Sequence, residues 1–86
     1  MPSRRSLDRA LIERHLREAD RHVVAGRGII AQQQRIIAEL EVDGHDTGPG
    51  RALLKTYRDI QEILEAHRSR LSEELTLRLA KRSLLH

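Results

Sequence analysis

Apolar residues recur along the first half of the chain at alternating spacings of four and three. Heptad spacing of this kind is typical of a helix that packs one face against another helix. The members of this series are Ile12, Leu16, Ala19, Val23, Gly26, Ile30, Gln33, Ile37 and Leu40. A second apolar set, Leu11, Val24, Ile29 and Ile36, flanks the series. The combined stripe is wider than one partner helix covers, which favours a bundle of at least three helices.

The second half of the chain repeats the pattern. Its predicted seam consists of Leu53, Tyr57, Ile60, Leu64, His67 and Leu71. Beyond Leu71 the apolar positions shift by one, to Leu75 and Leu79. Ile63, Leu54 and Leu77 are predicted to flank this seam. The pattern therefore predicts a second long helix with a stutter near its end.

Sequence signals that end one helix and begin the next lie side by side between the two segments. Gly44 after Asp43 is suited to the left-handed conformation that completes a final helical turn. Asp46 or Thr47 then caps the second helix, and Pro49 falls in the first turn, where a missing N–H costs little. A link this short forces the two helices to run antiparallel.

The sequence therefore predicts an all-α helical hairpin, with helices over about 6–43 and 48–82. Ser6 is the expected N-cap of the first helix. Residues 1–86 form one domain, with residues 1–5 and 83–86 expected to fray.

The turn also predicts a pairing register, because residues equidistant from it lie opposite each other. A turn centred near His45 pairs residues whose numbers add up to about 90. Gln33 then meets Tyr57, and Gly26 makes room for Leu64.

The composition indicates self-association. The chain has 86 residues, of which 38% are hydrophobic, with Tyr57 as its one aromatic residue and no cysteine. A two-helix hairpin with a single aromatic residue and no disulfides buries little surface, so a homodimer is expected, as a four-helix bundle or an antiparallel coiled coil. The expected interface seam is Leu16, Val23, Ile30, Ile37, Leu53, Ile60, Leu64 and Leu71. The predicted function is a structural or regulatory protein-interaction module with an unknown protein partner.

The charge pattern suggests an alternative. The net charge is +3, but 13 acidic residues are interspersed among 16 Lys and Arg, as on an ordinary solvated helix surface. A hairpin brings both termini to one basic end, which suggests a small nucleic-acid-associated protein. Its contact residues would be Arg4, Arg5, Arg78, Lys81 and Arg82. No apolar run approaches the ~20 residues of a membrane span, and no signal core follows the basic N-terminus. We expect a cytoplasmic protein without a membrane partner.

Several apparent functional motifs lack the surrounding structure or spacing that their function requires. Residues 26–31 match G-x-G-x-x-A, but no strand precedes them, as a dinucleotide site requires. Residues 48–55 lack the P-loop spacing, and residues 43–54 end in Leu rather than the Glu of a calcium loop. His22 and His67 with Glu18 could form a metal site, although helix-surface roles are commoner. No nucleophile has a base partner. The chain is predicted to be no enzyme, with no cofactor and no native metal.

Three runs of the sequence resemble a group of short, uncharacterised bacterial proteins. They are residues 19–26, residues 34–41 and the turn Asp43-Gly44-His45-Asp46-Thr47, the most specific of the three. The resemblance covers roughly residues 15–72. It implies an α-helical hairpin and assigns no function and no catalytic residues. Members of the group usually have helix formers where this chain has Gly48-Pro49-Gly50.

Overall fold

Two long helices joined by a short turn make up the structure, which is a computed structural model. It describes the backbone of residues 4–84 and the side chains of residues 8–81. Helix α1 spans Arg4–Val42 and helix α2 spans Gly48–Leu84. They pack against each other as a hairpin measuring 65 × 22 × 14 Å. The predicted all-α helical hairpin is confirmed.

The helices extend further at the open end of the hairpin than the sequence predicted. Ser6 lies inside α1, because the helix already includes Arg4, so its prediction as the N-cap is wrong. Of the residues expected to fray, Arg4, Arg5, Ser83 and Leu84 are helical. Residues 1–3 and 85–86, for which fraying was also expected, lie outside the described residues.

Gly44 ends helix α1 in the way the sequence predicted. Its φ is 74°, in the left-handed region that suits glycine. Its N–H donates to the carbonyl of Glu41 (3.1 Å), and the N–H of His45 donates to the carbonyl of Leu40 (2.9 Å). These two bonds form a Schellman motif, which satisfies carbonyls that the helix end leaves without partners.

The sequence left open whether Asp46 or Thr47 caps helix α2, and in the structure both contribute to its start. The Asp46 carboxylate accepts a hydrogen bond from the N–H of Gly48 (2.9 Å). The carbonyl of Thr47 accepts the first helical bond, from the N–H of Arg51 (2.9 Å). Pro49 occupies the first turn, as predicted. Asp46 supplies the side-chain cap, and Thr47 supplies the first backbone acceptor.

The seam between the helices agrees with the prediction on α1 but not on α2. Every member of the predicted α1 series is buried or half-buried. On α2, however, Leu53 and Ile60 are 42% and 48% exposed, and their neighbours Leu54 and Gln61 are buried. The observed α2 seam is Leu54, Tyr57, Gln61, Leu64, Arg68, Leu71 and Leu75. It keeps spacings of three and four throughout, so the predicted stutter is absent.

The predicted pairing register is also wrong, by about one helical turn. Gln33 donates its side-chain N–H to the carbonyl of Gly50 (2.9 Å) rather than meeting Tyr57. Gly26 faces Gln61 instead of Leu64, and Gly50 faces Ile37. Opposing residue numbers therefore add up to 87 rather than about 90.

Two buried glutamines explain this register. The Gln61 side chain donates to the carbonyl of Val23 (2.9 Å) and lies where a Cβ at residue 26 would be. Only glycine at residue 26 leaves that space. Gln33 makes the corresponding bond from α1 to α2. Because both side chains are buried, a slip of either helix would deprive their amide N–H groups of the backbone carbonyls that accept from them.

Candidate interaction surface

Ion pairs join the two helices along one side of the seam, which we call the ion-paired face. Arg27 reaches Glu65 (3.4 Å), and Arg51 and Arg68 pair with acidic residues of α1. The α1 partners are Glu41 for Arg51 and Asp20 for Arg68. All these side chains are about half exposed, so each pair contributes at most about 1 kcal/mol.

The opposite side of the hairpin carries exposed aliphatic side chains instead. Ile29 lies two residues beyond Arg27, and Leu53 two residues beyond Arg51, which is about 200° around each helix. Ile36 and Ile60 each follow seven residues later along the same lines. Leu11, Ile63 and Leu77 flank them. We call these residues the apolar face: Leu11, Ile29, Ile36, Leu53, Ile60, Ile63 and Leu77.

The apolar face has about as many members as the buried apolar core. Its seven side chains are between 40% and 67% exposed. The buried apolar core of the described residues, by comparison, consists of Ile12, Ala19, Val23, Ile37, Leu54 and Leu71. The exposed aliphatic set is thus as large as the core itself. Exposed apolar side chains grouped on one face mark interaction sites in soluble proteins.

Sequence reasoning found part of this face. It placed Leu53 and Ile60 in the seam, but it assigned the other members of the face to the flanking stripes: Leu11, Ile29, Ile36, Ile63 and Leu77. No signal within α2 separates the two lines, because Leu53, Ile60 and His67 recur with the same spacing of seven as Leu54, Gln61 and Arg68.

Two histidines continue the lines of the apolar face toward the open end. His22 lies seven residues before Ile29, and His67 lies seven residues after Ile60. Both side chains are exposed. Arg68 directly follows His67, and Asp20 lies two residues before His22. The Arg68–Asp20 ion pair therefore places both histidines near the same level of the hairpin. Among the described residues, no three His, Asp or Glu side chains are grouped to hold one metal ion.

The basic end is more balanced than the sequence suggested. Arg78 lies 3.6 Å from the carboxylate of Asp8 and 3.3 Å from that of Glu74. These contacts place the start of α1 beside the end of α2, as a hairpin requires, and they compensate the charge of Arg78. Lys81 is exposed. The side chains of Arg4, Arg5 and Arg82 lie outside the described residues.

The glycine motifs have structural roles. Gly26 and Gly28 both lie within the continuous helix α1, and Gly26 provides the space that Gln61 occupies. Gly50 faces Ile37, where a Cβ would lie 3.3 Å from the Ile37 side chain. Glycines 26 and 50 therefore leave room for side chains of the other helix.

Comparisons with protein-family models, with curated proteins and with solved structures find no match to this chain. Neither described helix has an apolar stretch long enough to cross a membrane. The prediction that the chain is no enzyme stays a prediction.

Proposed function

We propose that this protein is a structural or regulatory interaction module that works as a homodimer. The observation behind the proposal is the asymmetry of the hairpin: one face is ion-paired and the other is apolar. The apolar face of one copy packs against that of a second copy and forms a four-helix bundle. The ion-paired faces then remain outside, in contact with water.

The need for a second layer supports this arrangement. Stable domains consist of at least two packed layers of secondary structure around one core. A single hairpin has one layer of helices, and its smallest dimension is 14 Å. A second copy supplies the missing layer. The strip available is 65 Å long and two helices, or about 20 Å, wide. It exceeds the ~800 Å² per partner of a standard protein interface.

The free energy available from the apolar face sets the expected affinity. Complete burial of a Leu or Ile side chain contributes about 1.5–3 kcal/mol, so covering the exposed half contributes about 1 kcal/mol. Seven side chains on each copy give a gain on the order of 10 kcal/mol. Association itself costs about 4–15 kcal/mol. A micromolar Kd corresponds to a net gain of about 8 kcal/mol, so a dimer of that affinity requires an association cost at the low end of this range.

A mass measurement with two matched variants tests the proposal. Light scattering at several concentrations above 10 μM (about the expected midpoint) should give twice the 9.9 kDa chain mass. Ile29→Glu places a charge on the apolar face and should yield a monomer at the same concentrations. Val24→Glu is the control, because Val24 is also exposed but lies about 140° around α1. It should remain a dimer.

Two results would contradict the proposal. One is a monomeric mass for the unmodified chain together with a cooperative melt, since the hairpin would then be stable alone. The other is equal dissociation of the Ile29→Glu and Val24→Glu variants, because the apolar face would then have no special role.

A further inference from the structure

We infer that His22 and His67 of two copies form one Zn²⁺ site at the centre of the dimer. The inference rests on the proposed homodimer, because one hairpin supplies only two of the four ligands. Zn²⁺ is bound by neutral imidazole nitrogens and prefers four tetrahedral ligands in structural sites. Two histidines from each of two chains meet that requirement.

The position of the two histidines along the hairpin carries the argument. Helix α1, Arg4–Val42, has its midpoint at residue 23, and α2, Gly48–Leu84, has its midpoint at residue 66. His22 and His67 each lie one residue from these midpoints. They therefore occupy the middle level of the hairpin, on the lines of the apolar face.

Two-fold symmetry then brings the four histidines together in either orientation of the dimer. With the axis along the hairpin, every level of one copy meets the same level of the other. With the axis in the interface and perpendicular to the helices, the copies run in opposite directions, and when they overlap along their full length only the middle level meets itself. The level of His22 and His67 is the one level that meets itself in both cases.

The surroundings of the histidines leave their imidazoles available. Both side chains are exposed in the single hairpin, and neither belongs to the ion-paired face. Glu18 lies one helical turn before His22 and is itself paired with Arg14 (3.4 Å). A carboxylate one turn away is placed to accept the second ring N–H of a metal-bound histidine. Glu18 would then fix the orientation of the His22 imidazole without binding the metal itself.

Titration with Zn²⁺ alone tests the site, with stoichiometry and dimer dissociation as readouts. We expect one Zn²⁺ per two chains by calorimetry. At free Zn²⁺ about ten times the Kd of the site, the dimer dissociation constant should fall about tenfold, and a chelator should reverse the change. The His22→Ala/His67→Ala variant should lose this response to Zn²⁺, whereas His45→Ala, in the turn, should keep it.

The outcomes separate this site from the dimer itself. A dimer whose mass and dissociation do not respond to Zn²⁺ would overturn the site and leave the proposed function standing. Binding of one Zn²⁺ per chain, or binding retained in the His22→Ala/His67→Ala variant, would show that the ion binds elsewhere. A monomer both with and without Zn²⁺ would overturn the site and the dimer together.

Discussion

Replacement of Gly26 by alanine tests the register that the buried glutamines define. A Cβ at residue 26 would overlap with Oε1 of Gln61 and lie 2.9 Å from its Cδ. The Gln61 side chain must then leave its position and give up its hydrogen bond to the carbonyl of Val23. Gly28 provides the matched control, because a Cβ there meets nothing within 4 Å.

The expected magnitudes follow from three contributions. Alanine in place of glycine inside a helix stabilises it by about 1 kcal/mol, and this gain applies to both variants. In Gly26→Ala, the lost hydrogen bond costs about 1 kcal/mol. Displacing the Gln61 side chain costs about 1 kcal/mol more, at the low end for overpacking because that side chain can rotate. Gly28→Ala should therefore gain about 1 kcal/mol and Gly26→Ala should lose about 1 kcal/mol.

Chemical denaturation followed by circular dichroism measures both variants, at one chain concentration because the melt of a dimer depends on it. The gap of about 2 kcal/mol corresponds to about 10 °C in Tm for a chain of this size. In a Gln61→Ala background no amide occupies the space of the new Cβ, so Gly26→Ala should become stabilising. Equal stability of Gly26→Ala and Gly28→Ala in the natural background would refute the contact between Gly26 and Gln61.

Two further predictions concern the turn. Gly44→Ala should destabilise the hairpin by about 1–2 kcal/mol in urea denaturation, because φ is 74° there and alanine pays for a left-handed conformation. Gly44→Asn should lose less, and an unchanged midpoint for Gly44→Ala would contradict the Schellman ending. Asp46→Ala should cost about 1 kcal/mol, because the N–H of Gly48 loses its acceptor. Asp46→Asn keeps an acceptor and should retain most of that stability; equal losses in the two variants would exclude a capping role.

The turn was predictable because its signals are local. Glycine after the last helical residue, an acidic residue before the next helix and a proline in its first turn each act within a few residues of one another. The hydrogen bonds of Gly44 and Asp46 bear this out. The seam of helix α1 was predictable for a related reason, since its residues keep the same alternating spacing of four and three along the whole helix.

The α2 seam was not predictable from hydrophobicity alone. Two aliphatic lines compete there, and the more apolar one, through Leu53 and Ile60, is the exposed one. Gln61 takes the seam position because Gly26, 35 residues earlier in the chain, leaves room for its amide beside a backbone carbonyl. No pattern within α2 contains that information. The misplaced seam also concealed part of the apolar face, because Leu53 and Ile60 had already been assigned to the interior.

The interhelical hydrogen bonds imply an order of folding events. The bond from Gln33 to Gly50 spans 17 residues of chain, that from Gln61 to Val23 spans 38, and the pair of Arg68 with Asp20 spans 48. Closing a longer loop costs more entropy, so contacts near the turn are the least costly to form first. Each one shortens the loop that the next must close. We therefore expect the hairpin to form from Gly44 toward the open end. The middle level with His22 and His67 then becomes ordered only after the turn has formed.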